Sequence, residues 1–188
     1  MERVKEKKLS NVFFLTSVAL MAAVLCIVSP MSIPIGDVPI SLATFIIYVS
    51  VWVLGPYGST LSVAVYLLIG IAGLPVFSNG GSGIGKLSGP TGGYLIGYIF
   101  LAFISGVFWK IGKKNVLVTV LGMIIATAVL YAFGTVWFIV QLDVKLAYAL
   151  KVCVWPFIPF DLVKIIFAAV VGKPALIALK KSGLSIED

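Results

Sequence analysis

Residues 73–94 read GLPVFSNGGSGIGKLSGPTGGY, and ten of these 22 residues are glycine or proline. The runs on either side are almost wholly apolar. A chain that crosses a bilayer must satisfy its backbone polar groups internally, so non-helical backbone at that depth is tolerated only where protein buries it or water reaches it. A glycine-rich connector here is therefore either a plain flexible loop or a segment folded back to line a cavity. Pro75 and Pro90 bracket it, and Phe77, Ile84 and Leu87 are poor choices for a solvated tether. The lining alternative is favoured.

Composition places the rest of the chain in the same setting. Of 188 residues 61% are hydrophobic and 11% charged, with a mean hydropathy of +1.16. Soluble domains carry about 25% charged residues, so the solvent this composition fits is a bilayer, and residues 1–188 read as one membrane domain. A spanning helix needs about 20 apolar residues. Six candidates meet or approach this: 11–28, 40–54, 59–72, 93–109, 116–141 and 157–178. The second and third are short, which suggests tilt or partial burial. The turn GPYG at 55–58 separates them. Sustained polar–apolar alternation is missing, so strands are a poor alternative. The basic N-terminus resembles a signal peptide, but no small-residue cleavage site follows and the run is long enough to be a retained span.

The net charge of +7 does not point to nucleic acid, because the lysines are scattered between apolar runs. Their placement is a topology signal and a contact for anionic lipid. With six spans, one face carries ten cationic residues, including Arg3, Lys110, Lys113 and Lys181, and the other carries four: Lys86, Lys145, Lys151 and Lys164. The richer side is expected to be cytoplasmic, with both termini there and the glycine-rich connector outside.

Within that connector Gly80, Gly85 and Lys86 approach a phosphate-binding loop. Leu87 stands where such a loop needs a hydroxyl for magnesium, and the segment follows an apolar helix instead of a strand. Nucleotide binding is rejected, so the chain cannot energise transport alone. Histidine is absent, which removes the commonest general base and metal ligand. Cys26 and Cys153 lack metal spacing and read as small buried hydrophobes. No catalytic group or metal site is expected.

The strongest polar signal is Asp161 and Lys164 in VWPFIPFDLVKIIF, three residues apart and so on one helix face. Pro156 and Pro159 precede them, leaving free amides at a helix start that carries partial positive charge. A simple helix cap would explain the pair, but intramembrane charge is a functional candidate by default. The same face offers Asn79, Lys86 and many amides, with aromatic walls available from Tyr48, Trp52, Tyr94 and Trp155. That inventory suits a small ligand with urea-like N–H donors, an apolar body and its own carboxylate. In the first helix Ala19 and Ala23 lie four apart with Ala22 beside them. Small residues at that spacing admit either another helix of the same chain or an external partner.

GLPVF at 73–77, GPTGGYLIGY at 89–98 and PFIPFDLVK at 156–164 resemble the BioY proteins, biotin-specific substrate-binding S components of energy-coupling factor transporters. The resemblance implies an all-α, polytopic fold of six transmembrane helices, with the glycine-rich extracellular loop between helices 3 and 4. It implies a membrane vitamin receptor, not an enzyme, that docks on a transmembrane coupling protein and two ATPase subunits through Ala19 and Ala23. Biotin would lie near the outer surface under the loop before helix 4. Asp161 would accept a ureido N–H, Lys164 would orient it or meet the ligand carboxylate, and Gly81, Gly83 and Thr91 would offer backbone or hydroxyl contacts. The chain departs from the family pattern at Phe160, at Ala43, and at Asn79 and Lys86. An S component for another small vitamin is the alternative; a membrane enzyme would need a base or metal cage that the sequence does not supply.

Overall fold

The computed structural model describes residues 2–33 and 38–182, with side chains from residue 11 onward. Helix α1 covers Glu2–Val28, and a two-residue antiparallel ribbon, β1 (Ser32–Ile33) with β2 (Ile40–Ser41), leads into α2 (Ala43–Ile71). A 3-10 turn at Ser78–Gly80 and the short α3 (Gly83–Ser88) follow, then α4 (Gly92–Ile111), α5 (Val116–Leu142), α6 (Leu146–Cys153) and α7 (Phe157–Lys181). Five helical segments are long and apolar enough to cross a membrane: 11–28, 43–71, 92–111, 116–142 and 146–181. The expected second and third spans thus fall within one segment, α2.

That segment is not straight. Gly55 has φ +66 and ψ −165, a non-helical backbone that breaks the hydrogen-bond ladder. Glycine adopts it because no Cβ opposes a positive φ. Pro56 follows, and its missing N–H and fixed φ suit the first position of a new helical turn. The side-chain partners show how the two arms lie. Beyond the break, the backbone at Gly58 lies against Phe14, Ser62 donates to Val18 O (3.1 Å) and the Tyr66 hydroxyl meets Ser29 (2.6 Å), so this arm runs beside α1 in the same direction. Before the break, Thr44 lies against Asp161 and Trp52 against Gly172, so this arm runs alongside α7. Gly106 of α4 rests on Pro56, closing the elbow.

Helices α4 and α5 are held together by small residues. A Cβ at Gly93 would lie 2.3 Å from Trp137 Cβ, at Gly97 2.5 Å from Leu130 Cδ1, and at Gly134 2.5 Å from the Tyr94 ring. Lipid supplies little drive for helix association, so such close approach and its dispersion contacts do that work. The core between these helices and α2 centres on Trp52, Tyr48, Tyr66, Leu101, Met123 and Trp109.

The glycine-rich connector is more ordered than a plain loop. Val76 and Phe77 are buried, and the Phe77 ring stacks edge-on against Tyr66 at 5.5 Å. Gly70 makes room for that ring: a Cβ there would lie 2.1 Å from Phe77 Cζ. Leu87 packs against the core, whereas Ile84 is 68% exposed. Trp137 Nε1 donates to Gly89 O (3.0 Å), fixing the far end. Two of the three apolar residues that argued for folding back thus do so. The amphipathic α6, with Ala149 and Cys153 buried, is an element that the apolar runs did not reveal. Helix α7 continues to Lys181 past Pro174.

Candidate functional site

At one end of the bundle a pocket opens under the connector. Its walls come from the β1–β2 ribbon region (Val38, Pro39, Ser41), the start of α2 (Thr44), the connector (Ser78, Lys86, Thr91), α4 (Tyr94, Leu95, Tyr98), α5 (Leu130, Tyr131) and α7 (Phe157, Asp161, Lys164). About 550 Å³ of empty space lies between these walls, open solvent at the mouth included.

Asp161 and Lys164 form its polar floor. Both are buried, and Lys164 Nζ lies 2.9 Å from Asp161 Oδ1. Thr44 donates to the same oxygen (3.2 Å), and Tyr131 donates to Asp161 Oδ2 (2.6 Å). Lys164 also donates to Ser41 O (2.8 Å) and Thr44 Oγ1 (3.1 Å). Two charges in a low-dielectric span are tolerated because each is paired and hydrogen-bonded. The pair is therefore more than a cap on its own helix: it bolts α7 to the start of α2 and to α5. Its inventory also shows what remains for a ligand. A carboxylate accepts at about four lone-pair sites. Oδ1 already serves two donors, while Oδ2 serves one and can take another.

Among the other lining groups, Tyr98 (6% exposed) has no hydrogen-bond partner for its hydroxyl among the described residues. Thr91 and Ser78 likewise have unengaged hydroxyls there. Tyr94 is engaged: it donates to Cys153 O (3.2 Å) and meets Thr135 (3.2 Å). Lys86 reaches the pocket from α3, its stem lying across Gly81, where a Cβ would come within 3.0 Å of Cδ and Cε.

The structure thus gathers Asp161, Lys164, Lys86, Thr91 and Tyr94 around one cavity. Other expected contacts sit elsewhere. Tyr48 and Trp52 are fully buried below the pocket: Thr127 gives its proton to Met123 O, so Tyr48 donates to Thr127 (2.6 Å), and Trp52 packs on Gly172. Their aromatic character reflects core packing, since neither lines the cavity. Trp155 is 69% exposed and likewise stands off it. Asn79 is exposed and ties the connector to β1 instead, accepting from Ser32 Oγ at Oδ1 (2.7 Å) and donating its N–H to that hydroxyl (2.9 Å). Gly81 serves as the seat for Lys86, and Gly83, with φ +77, faces open space. In α1, Ala19 and Ala23 are exposed, but Ala22 is 1% exposed and packs inward, off that face.

The polar lining residues that sequence reading missed are Ser41, Thr44, Ser78, Tyr98 and Tyr131. Tyr98 had a signal, because it follows Tyr94 by four and shares its helix face. Tyr131 offered only one hydroxyl in a long apolar run. Ser41 and Thr44 become meaningful only once α7 is packed beside α2.

Comparison with known proteins gives a consistent picture. A biotin transporter BioY of Thermotoga maritima is 40% identical over 158 residues, covering 83% of this chain and 88% of the relative. Biotin transporter BioY2 of Lactococcus lactis is 34% identical over 173 residues, covering 90% and 93%. The fold matches a crystal structure of the S component for biotin from an ECF-type ABC transporter, with TM-score 0.81, 32% identity, and coverage of 88% of this chain and 91% of that one. This is a family of transporter components, not of enzymes. The BioY family model matches residues 3–181, and the chain belongs to the BioY family.

Proposed function

We propose that this protein is the biotin-binding membrane subunit of an ECF-type uptake transporter, energised by a separate coupling protein and ATPase subunits. The observation that carries the reading is the open acceptor position on Asp161 Oδ2 within a pocket whose walls mix apolar and aromatic side chains with a few hydroxyl and ammonium groups. A ureido N–H is a donor that such a carboxylate binds well, because charge-assisted hydrogen bonds are roughly twice as strong as neutral ones. Tyr98 stands by with a hydroxyl for the ureido carbonyl, and Leu95, Leu130 and Phe157 suit the apolar part of the ligand. Lys164 holds Asp161 in place.

Counting the two arms of α2 on either side of Gly55 separately, together with the four other segments, we read six crossings. On that count the surplus of lysine at the far end supports a reading with both termini in the cytoplasm and the pocket outside. The exposed Ala19 and Ala23 offer a flat strip on α1 for a helix of the coupling protein, since small residues allow backbones to approach. Titration of purified, ligand-stripped protein with biotin, thiamine and riboflavin tests the reading, followed by co-purification with the coupling module. Saturable binding of biotin alone supports it. Absence of biotin binding, or equal binding of all three vitamins, overturns it.

A further inference from the structure

The pocket is lined by two cations, and they are not equivalent. An ammonium group has three N–H donors. Lys164 uses all three, on Ser41 O (2.8 Å), Asp161 Oδ1 (2.9 Å) and Thr44 Oγ1 (3.1 Å). For it to turn toward a ligand carboxylate, at least one of these charge-assisted bonds must break in a buried setting, where it is worth more than a neutral one. Lys86 is the opposite case. Its Nζ has no hydrogen-bond or ion-pair partner among the described residues, yet it is only half-exposed and lines the same cavity. Gly81 gives its stem a groove to lie in, and the hydroxyls of Ser78 and Thr91 line the cavity with it.

We infer that Lys86 is the residue that recognises the carboxylate of the ligand, and that Lys164 is a positioning residue that does not touch it. The inference rests on the reading of the pocket as a biotin site and divides the ligand between its two ends. The ureido ring goes to Asp161 on the floor, and the acid end goes to Lys86 under the connector. Binding the acid therefore also draws α3 onto the ligand, because Lys86 belongs to the cover and not to the bundle.

The test compares biotin with biotin methyl ester, which keeps the ring and loses the charge, by calorimetric titration of wild type, Lys86→Met, Lys86→Arg and Lys164→Met. Wild type is expected to prefer the acid by about tenfold or more. Lys86→Met should lose that preference, with biotin weakened about tenfold and the ester changed less than twofold; retained ester binding also shows that this variant is folded. Lys86→Arg should keep the preference. Lys164→Met should weaken both ligands while the acid is still preferred. Equal weakening of acid and ester by Lys86→Met, no weakening of either, or loss of the preference in Lys164→Met instead would overturn the assignment. If wild type binds neither compound, the biotin reading itself fails, and the assignment falls with it; binding of both without a preference removes the assignment alone.

Discussion

Neutralising the floor pair one member at a time, and then together, separates its structural part from its part in binding. In Asp161→Asn the Lys164 ammonium keeps only Ser41 O and Thr44 Oγ1 as strong acceptors and loses its counter-charge. Breaking one side of a buried pair costs about 3–5 kcal/mol, because a buried charge is left uncompensated. In Lys164→Met the carboxylate keeps Thr44 and Tyr131 as donors, and hydrogen bonds to a charged group contribute about 1.5–3 kcal/mol each. The loss is expected at the lower end of the same range. The double variant leaves no orphaned charge, so its loss should fall short of the sum of the singles by about 1.5–3 kcal/mol, within the span measured for residues in contact. Binding should not follow stability. Biotin affinity is expected to fall more than tenfold, about 1.4 kcal/mol, in Asp161→Asn and to stay low in the double variant, because in both the charged acceptor is replaced by a neutral amide. Equilibrium unfolding in detergent micelles measures the first quantity and calorimetric titration the second. Additive losses in stability would refute the coupling drawn from the 2.9 Å contact, and near wild-type affinity in either Asp161 variant would refute the site.

Three further outcomes follow from particular contacts. Gly55→Ala should destabilise the protein by roughly 1–3 kcal/mol, the scale of a residue forced into a backbone region open essentially to glycine, because its Cβ would also sit 3.0 Å from Trp109 Cζ3; unchanged unfolding would argue against the elbow. Tyr98→Phe should weaken biotin binding by about 0.5–1.5 kcal/mol, the net contribution of one neutral hydrogen bond, while stability stays level because the hydroxyl has no protein partner among the described residues; a change in stability without a change in affinity would contradict the ligand-facing role. A cysteine at position 86 should react with an impermeant thiol reagent applied outside intact cells, whereas one at position 113 should react only after permeabilisation, and the reverse pattern would invert the proposed orientation.

The helices were legible because bilayer solvent leaves few choices: backbone groups must pair within the segment, and the segment must be apolar for most of its length. The apolar runs of α1, α4, α5 and α7, the departure from helix at GPYG and the face shared by Asp161 and Lys164 all follow from local composition and spacing. The resemblance in 73–98 and 156–164 gave the family for the same reason, as those motifs are continuous in the chain. The short α6 was not legible, because eight mixed residues carry no membrane-length signal. Nor was the sorting of aromatics. Tyr48, Trp52, Tyr94, Tyr98 and Tyr131 look alike in sequence, yet two lie below the pocket and three line it.

Sequence by itself determined that this chain lives in a membrane and that its acid–base pair sits on one helical face, since both depend on residue type and distance along the chain. Tertiary structure alone decided who meets that pair. Thr44, Ser41 and Tyr131 are 117, 123 and 30 residues from the partners they bond, and separations of that length are set by how helices pack, which no local pattern encodes. The unequal roles of Lys164 and Lys86 arise there too: one ammonium is enclosed by three acceptors, and the other is left facing the cavity.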